Sequence, residues 1–168
     1  MKKLAGFLLA LVLVLGCAGA AFAQEVQEIP VDYEGDWVVF DEKFQLLVPS
    51  EFVDHEVTPE FEKVGIFAVY SDPDGSRTFS VQWIESAGTL DELAAAFAEN
   101  ALYSNVVTST INGVPFVVYN MENAIGCACA DGDDSGFYVF SFTPNDQPTS
   151  EFALQLMASF SAPGSEKQ

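Results

Sequence analysis

Alternating apolar and polar positions predict that most of this chain forms β-strands. Residues 106–111 and 114–119 are rich in valine and threonine, and they flank Asn112-Gly113, a pair that suits the positive φ angles of a tight hairpin turn. A third run, residues 136–143, follows a predicted loop over residues 127–135. The pattern therefore predicts a meander of three neighbouring strands.

The first half of the chain shows similar short runs. Residues 37–40 and 44–48 are rich in β-forming side chains, and Pro49 ends the second run because proline lacks the amide that a sheet needs. Residues 64–70 and 77–84 are separated by a loop that contains Pro73-Asp74-Gly75, which is typical of a turn. Residues 50–62 are mostly polar, and we predict an irregular connection there.

Capping residues and apolar spacing predict two helices. Thr89 and Glu92 form a capping box, in which each side chain binds a free backbone amide at the helix start, and this helix is predicted to run to about Tyr103. A second helix is predicted after a cap at Thr149 or Ser150. Its apolar stripe consists of Phe152, Ala153, Leu156, Met157 and Phe160.

The order of these elements favours an α+β fold. The mostly short connections suit antiparallel pairing, so we predict an antiparallel sheet of about six to seven strands with two main helices packed on it. Helices on both faces would bury both sides of the aromatic strand at residues 136–143. A single domain is predicted over residues 36–162, after an acidic tether at residues 24–35 and before a disordered end at residues 163–168.

Residues 1–23 are typical of an export signal peptide. A basic start at Lys2 and Lys3 precedes an apolar stretch, and Ala21-Phe22-Ala23 fits the small-residue pattern before a cleavage site. There are two alternatives. Cys17 lies in a stretch that resembles a lipobox, in which the cysteine carries lipid, and residues 4–23 are long enough to anchor in a bilayer if they stay uncleaved. Each outcome predicts an extracytoplasmic domain, secreted or held at the outer face of the cell membrane.

Charge narrows the classes of partner. Cleavage after Ala23 would leave 145 residues with four basic and 25 acidic side chains, a net charge of −21. The apolar content, 49% of the chain, still favours a packed core over disorder. A field of this sign repels nucleic acid and anionic lipid, and it favours cations or basic proteins. The simplest interpretation of the charge is that it keeps an exported domain soluble.

The order and spacing of several features resemble the PsbP-like superfamily. They are an early strand at residues 44–49 that ends in proline, the capped helix from Thr89, the segment Ile111-Asn112-Gly113-Val114-Pro115, the late strand at residues 137–142 and a closing helix to Phe160. The resemblance covers nearly the whole domain and implies an α-β-α sandwich around an antiparallel sheet. It implies no activity, because no metal site or partner-binding face of the family maps onto residues of this chain.

The loop at residues 131–136 offers candidate metal ligands. Asp131, Asp133 and Ser135 occupy the first, third and fifth ligand positions of a calcium loop, and Gly136 occupies its turn position. Phe142 stands where the bidentate glutamate belongs, and the flanking segments are predicted strands. Calcium is therefore the one cofactor that the sequence suggests, and the simpler alternative is an acidic hairpin loop.

Cys127 and Cys129 are the only cysteines left after cleavage, so a disulfide scaffold is excluded. In an extended strand their positions would be about 6.6 Å apart along the chain, too far for a disulfide. We predict buried or unpaired thiols, since a disulfide would need a local bend and a zinc site would need more ligands than His55 can add. His55 lacks a nucleophile motif nearby and is predicted to be a surface residue.

These observations predict a non-enzymatic exported domain. No phosphate loop, dinucleotide fingerprint or nucleophile motif occurs in the sequence. The leading hypothesis is a domain that binds a protein partner, which the charge predicts to be basic, or assists an envelope complex through an acidic surface. The alternative is a carrier of a small ligand or of calcium. Neither hypothesis involves nucleic acid, and membrane contact is expected only through a lipid anchor or an uncleaved signal.

Overall fold

The computed structural model of the chain describes residues 29–133 and 135–165. Among these residues no helix has both the length and the apolar character that crossing a bilayer requires. This part of the chain contains nine strands and three helices. The strands are β1 (Gly35–Phe40), β2 (Phe44–Pro49), β3 (Val53–Asp54), β4 (Ile66–Ser71), β5 (Thr78–Glu85), β6 (Ser104–Ile111), β7 (Val114–Asn120), β8 (Ile125–Ala130) and β9 (Gly136–Thr143). The helices are α1 (Pro59–Lys63), α2 (Leu90–Glu99) and α3 (Gln147–Ala158).

The strands form one large and one small sheet. The large sheet has seven strands in the order β3-β4-β5-β9-β8-β7-β6, and β1 pairs with β2 in a separate two-stranded sheet. Every one of these pairings is antiparallel. The predicted α+β class with an antiparallel sheet is therefore confirmed, and the predicted number of strands fits the large sheet.

Each face of the large sheet is covered by different elements. On one face, α3 and the β1–β2 hairpin enclose the main core, while on the other face Leu90 and Leu93 of α2 pack on a smaller cluster. Successive side chains of a strand point to opposite faces, so β9 contributes to both layers. Its side chains on the main-core face are Tyr138, Phe140 and Phe142, those on the α2 face are Phe137 and Val139, and all five are buried.

The predicted turn and cap chemistry is present. Asn112 and Gly113 have φ angles of 47° and 88° and join β6 to β7 as a two-residue turn. At the start of α2, the Thr89 hydroxyl accepts the amide of Glu92 at 3.2 Å, and the Glu92 carboxylate accepts the amide of Thr89 at 2.8 Å. The sequence alone could predict the turn and the cap because each depends only on residues that are neighbours in the chain.

Strand β8 and helices α2 and α3 differ from the sequence prediction. Residues 125–130 form β8, although 127–135 was predicted as a loop; the small side chains Gly126 and Ala128 give a weak β signal but fit beneath covering groups. Helix α2 ends at Glu99 instead of near Tyr103, whose ring packs 4.5 Å from that of Phe97. Helix α3 is capped by Asp146, which accepts the Thr149 amide at 2.8 Å, so the predicted caps lie inside its first turn.

The packed region extends beyond residues 36–162 at both ends. Ile29 and Tyr33 lie against the main core, and the Tyr33 hydroxyl donates to the Leu47 carbonyl at 2.7 Å. At the other end, Gln45 accepts the Gly164 amide and donates to the Ser165 carbonyl. Parts of the predicted tether and of the predicted disordered end are therefore bound to the domain. The signal segment and Cys17 lie outside the described residues.

Candidate functional site

The segment from Glu51 to Val64, which we call the 51–64 surface, contains both β3 and α1. Residues 50–62 were predicted as an irregular connection, and Val64 was predicted to begin the strand that the structure starts at Ile66. Strand β3 adds to the edge of β4, with Val53 opposite Ser71. Helix α1 begins at Pro59 behind the cap Thr58, whose hydroxyl accepts the Phe61 amide at 3.4 Å. Threonine followed by proline at the first helical position was the signal that could have revealed this helix in the sequence.

The 51–64 surface combines negative charge with exposed apolar side chains. Three of its large apolar residues, Val53, Phe61 and Val64, are exposed, at 46%, 45% and 56%. Lys63 is its only lysine or arginine, and the ion pairs among the described residues lie elsewhere. The acidic residues of the segment are all exposed, and they are Glu51, Asp54, Glu56, Glu60 and Glu62. Exposed carboxylates that share a segment with exposed apolar side chains are suited to a basic, partly apolar partner.

His55 lies on this surface and contacts a serine that the sequence did not bring near it. Its Nε2 is 2.7 Å from the Ser71 hydroxyl, and that hydroxyl donates to the Asp72 carbonyl at 3.0 Å. The Ser71 hydroxyl has one proton, so when that proton goes to Asp72, the first contact needs the histidine tautomer that carries its proton on Nε2. In that tautomer Nε2 does not accept the Ser71 proton. The pair joins the residue after β3 to the last residue of β4.

The predicted calcium ligands lie in the β8–β9 loop, where each has a protein partner. Asp131 accepts the amide of Ser135 at 2.8 Å and its hydroxyl at 2.6 Å, while Asp133 forms an ion pair with Lys43. Burial pushes the pKa of Asp131 upward, but the hydrogen bonds from Ser135 outweigh it and hold the pKa below its usual value. Among residues 29–133 and 135–165, no three His, Cys, Asp or Glu side chains converge as a metal site.

Calcium binding by this loop stays a prediction with a direct test. If the loop holds the ion, millimolar calcium chloride raises the melting temperature well beyond the effect of sodium chloride at equal ionic strength, since a ligand of the folded state stabilises it. Asp133→Asn removes an exposed oxygen ligand and is expected to abolish the difference. Equal melting temperatures in the two salts would reject calcium.

Cys127 and Cys129 lie on one face of β8 as free thiols. They stand opposite Phe140 and Tyr138 of β9, and both face the main core. Burial raises the pKa of each thiol to about 12. At neutral pH they are therefore protonated core groups, without the thiolate that nucleophilic attack requires.

The chain from Gln24 onward is expected to give two titratable thiols when it is denatured without reductant. In the native state the reaction with a disulfide reagent should be at least about a thousandfold slower, because a buried thiol reacts only when the core opens. Ellman titration measures both values. Cys127→Ser and Cys129→Ser variants should each give one thiol, and a count of zero in the unaltered chain would contradict the assignment.

Two shallow pockets lie on the surface formed by the described residues. One, of about 340 Å³, has a mainly apolar lining that includes Leu102, Tyr103 and Met121. The other, of about 320 Å³, is lined by Arg77, Tyr33 and Phe152 among others. The Arg77 guanidinium lies 4.8 Å from the centre of the Phe152 ring, and its Nε is 3.8 Å from the Asp72 carboxylate. Its positive charge is thus already matched inside the domain.

Comparison with known proteins bears on the fold only. A crystal structure of a protein from Bacteroides thetaiotaomicron VPI-5482 at 1.50 Å resolution is similar to this chain, with 16% sequence identity and a TM-score of 0.52. The match covers 80% of this chain and 51% of that chain, so this chain spans about half the length of the protein that it matches. No family model and no curated protein matches the sequence. Fold and surface together define an acidic α+β domain built on an antiparallel sheet.

Proposed function

We propose that this chain is a non-enzymatic, exported or surface-tethered domain that binds a basic protein partner through the 51–64 surface. The observation that carries the proposal is that five exposed carboxylates and the exposed side chains of Phe61 and Val64 belong to one short segment, with Glu60 and Glu62 on either side of Phe61 in the sequence. The carboxylates attract and orient a basic partner, and the apolar groups supply the contact area that limits dissociation. Assistance to an envelope complex is one form of this binding, and residues 1–23 support the location.

The chemistry of the remaining polar groups supports a binding role over catalysis. His55 is hydrogen-bonded to Ser71, the two thiols are protonated core groups, and Asp131 accepts two hydrogen bonds from Ser135. Each of these groups is bound or packed within the domain and so contributes to its stability. The resemblance to the PsbP-like superfamily stays a prediction, and it adds no activity to the proposal.

The proposal predicts a loss of affinity when charge is removed from the 51–64 surface. In pull-downs from envelope extract at low salt, the double variant Glu60→Gln/Glu62→Gln is expected to bind the recovered basic protein about threefold to thirtyfold more weakly, as two exposed ion pairs are lost. Phe61→Ser should add to this loss without unfolding, since α1 has no buried residue. The measurement is the dissociation constant by calorimetry or interferometry.

A matched control removes two negative charges from another part of the domain. Glu99→Gln/Glu122→Gln removes two exposed carboxylates far from the 51–64 surface and is expected to change affinity by less than about twofold. Equal losses in the two double variants would mean that only net charge matters, and recovery of no protein at low salt would reject the proposal.

A second candidate function is supported by the apolar pocket at Leu102, Tyr103 and Met121. Its volume of about 340 Å³ suits a small ligand, and most of its lining is apolar. A carrier of such a ligand should show a mass higher than that of the bare chain when it is isolated from cells and examined by native mass spectrometry. The bare mass alone would dismiss this candidate.

A further inference from the structure

Strand β6 leaves a long open edge on the large sheet. It has eight residues and pairs only with β7 within the described part of the chain, whereas the opposite end of the sheet is the two-residue strand β3. An open edge is a template for a further strand, and proteins usually protect it with short strands, lysine or proline. β6 contains neither lysine nor proline.

The register of the β6–β7 hairpin shows which backbone groups face outward. Ile111 and Val114 flank the two-residue turn, so they form the pair that exchanges hydrogen bonds across the hairpin. Alternation along the strand then turns the N–H and C=O groups of Thr108 and Thr110 away from β7. Pro115 lies opposite Thr110 and has no N–H, so it could not donate to the Thr110 carbonyl. This agrees with Thr110 facing away from β7. No described residue outside β6 hydrogen-bonds to these outward groups.

Most of the edge is regular enough to accept a strand. The irregularity of β6 lies between Ser104 and Val107, where Asn105 has a φ of 52°. Residues 107–111 pair with β7 without interruption. Val107 is 43% exposed and Thr108 and Thr110 are exposed, so these three side chains leave the edge accessible, while Ile111 is buried in the main core.

Charge distribution indicates which occupant the edge accepts. Residues 100–121 contain no Asp, Glu, Lys, Arg or His, in a chain that has 25 acidic residues. A basic partner therefore finds no opposite charge at the edge itself. For two copies of this acidic chain, however, approach along this uncharged segment brings less repulsion than approach along segments that carry carboxylates. An edge strand also complements itself, because a two-fold axis places two copies of it antiparallel.

We propose that β6 pairs with β6 of a second copy of this chain, antiparallel and about a two-fold axis, to join the two large sheets into one continuous sheet. The outward groups of Thr108 and Thr110 form the hydrogen bonds across the joint, and the exposed Val107 side chains supply apolar contact beside it. This dimer is independent of the 51–64 surface, since β3 lies at the opposite end of the large sheet.

Salt dependence distinguishes this dimer from binding of a basic partner. Both copies are strongly acidic, so screening should favour the dimer: raising sodium chloride from about 0.05 M to about 0.5 M shortens the Debye length from about 14 Å to about 4 Å. The dissociation constant of the dimer is expected to fall by at least about threefold over this range. Binding of a basic protein to carboxylates should weaken over the same range.

Variants of the edge give the direct test by sedimentation equilibrium on the full processed chain. Thr108→Pro removes an outward N–H that the hairpin does not use, and it is expected to raise the dimer dissociation constant at least about tenfold. Thr108→Lys/Thr110→Lys keeps every backbone amide but places like charges along the joint. It is also expected to raise the dimer dissociation constant at least about tenfold. Thr108→Val/Thr110→Val retains β-branched side chains and should change the constant by less than about threefold.

Two results would overturn the proposed dimer without affecting the proposed function. A chain that is monomeric at every concentration and salt level, or a dimer that both the proline and the lysine variants leave unchanged, overturns the inference. Neither result bears on the proposed function, which is tested by Glu60 and Glu62 and by the opposite response to salt. If the proline variant fails to fold by circular dichroism, the lysine variant decides.

Discussion

Replacing Phe44 with alanine is expected to lower the free energy of unfolding by about 3–5 kcal/mol, the range for a large aromatic side chain removed from a core. Phe44 is the first residue of β2 and is 2% exposed. Its ring centre lies 4.7 Å from that of Tyr138, 5.7 Å from Phe140 and 4.9 Å from Phe160. One side chain thus joins the small sheet to the large sheet and to the segment after α3.

The measurement is urea unfolding of Phe44→Ala beside Phe44→Leu, which keeps most of the apolar volume. The leucine variant should lose less than about half as much stability, because the cavity that it leaves is smaller. Hydrogen exchange in the alanine variant should show the largest loss of protection in β1 and β2, which depend on this contact. A loss below about 1 kcal/mol for alanine would contradict the central position assigned to Phe44.

The second large effect is expected at Gly126. A Cβ atom at this position would lie 2.1 Å from the ring of Tyr119, which is buried on the α2 side of the sheet. Tyr119 in turn contacts Phe97 and Tyr103, with ring centres 4.7 Å and 5.0 Å away. Gly126→Ala should therefore displace Tyr119 and disturb this aromatic group, at a cost of about 2–3 kcal/mol.

A matched glycine and a double variant isolate the cause. Gly132→Ala meets nothing within 4 Å and is expected to change stability by less than about 0.5 kcal/mol. In a Tyr119→Ala background the ring is gone, so Gly126→Ala should cost less than about 1 kcal/mol. An equal cost of Gly126→Ala in both backgrounds would show that the collision with Tyr119 is not the reason.

The sequence predicted the elements whose signals are local. The Asn112-Gly113 turn, the Thr89 capping box and the alternating strand at residues 136–143 were all found, because each depends on neighbours in the chain. Strand β8 was missed for the opposite reason. Gly126 and Ala128 leave room for Tyr119 and α2, which lie over that face of the sheet. The need for small residues in β8 therefore comes from residues that are distant in the sequence.

The candidate site was less predictable than the fold. Acidity was evident from composition, but only the structure shows that Phe61 and Val64 stay exposed among the carboxylates of α1. The contact between His55 and Ser71 joins residues that the strand register brings together, and no spacing in the sequence indicates it. The open edge of β6 likewise follows from the strand order, which pairs β5 with β9 instead of with β6.

We expect the 51–64 surface to be the place where this domain contacts a basic protein. Carbodiimide cross-linking on intact cells tests it, because the reagent joins a carboxylate to an amine only when the two are in direct contact. Mass spectrometry should place the cross-links between partner lysines and Glu56, Glu60 or Glu62. Cross-links confined to distant carboxylates such as Glu99 or Glu122 would show that the partner binds elsewhere.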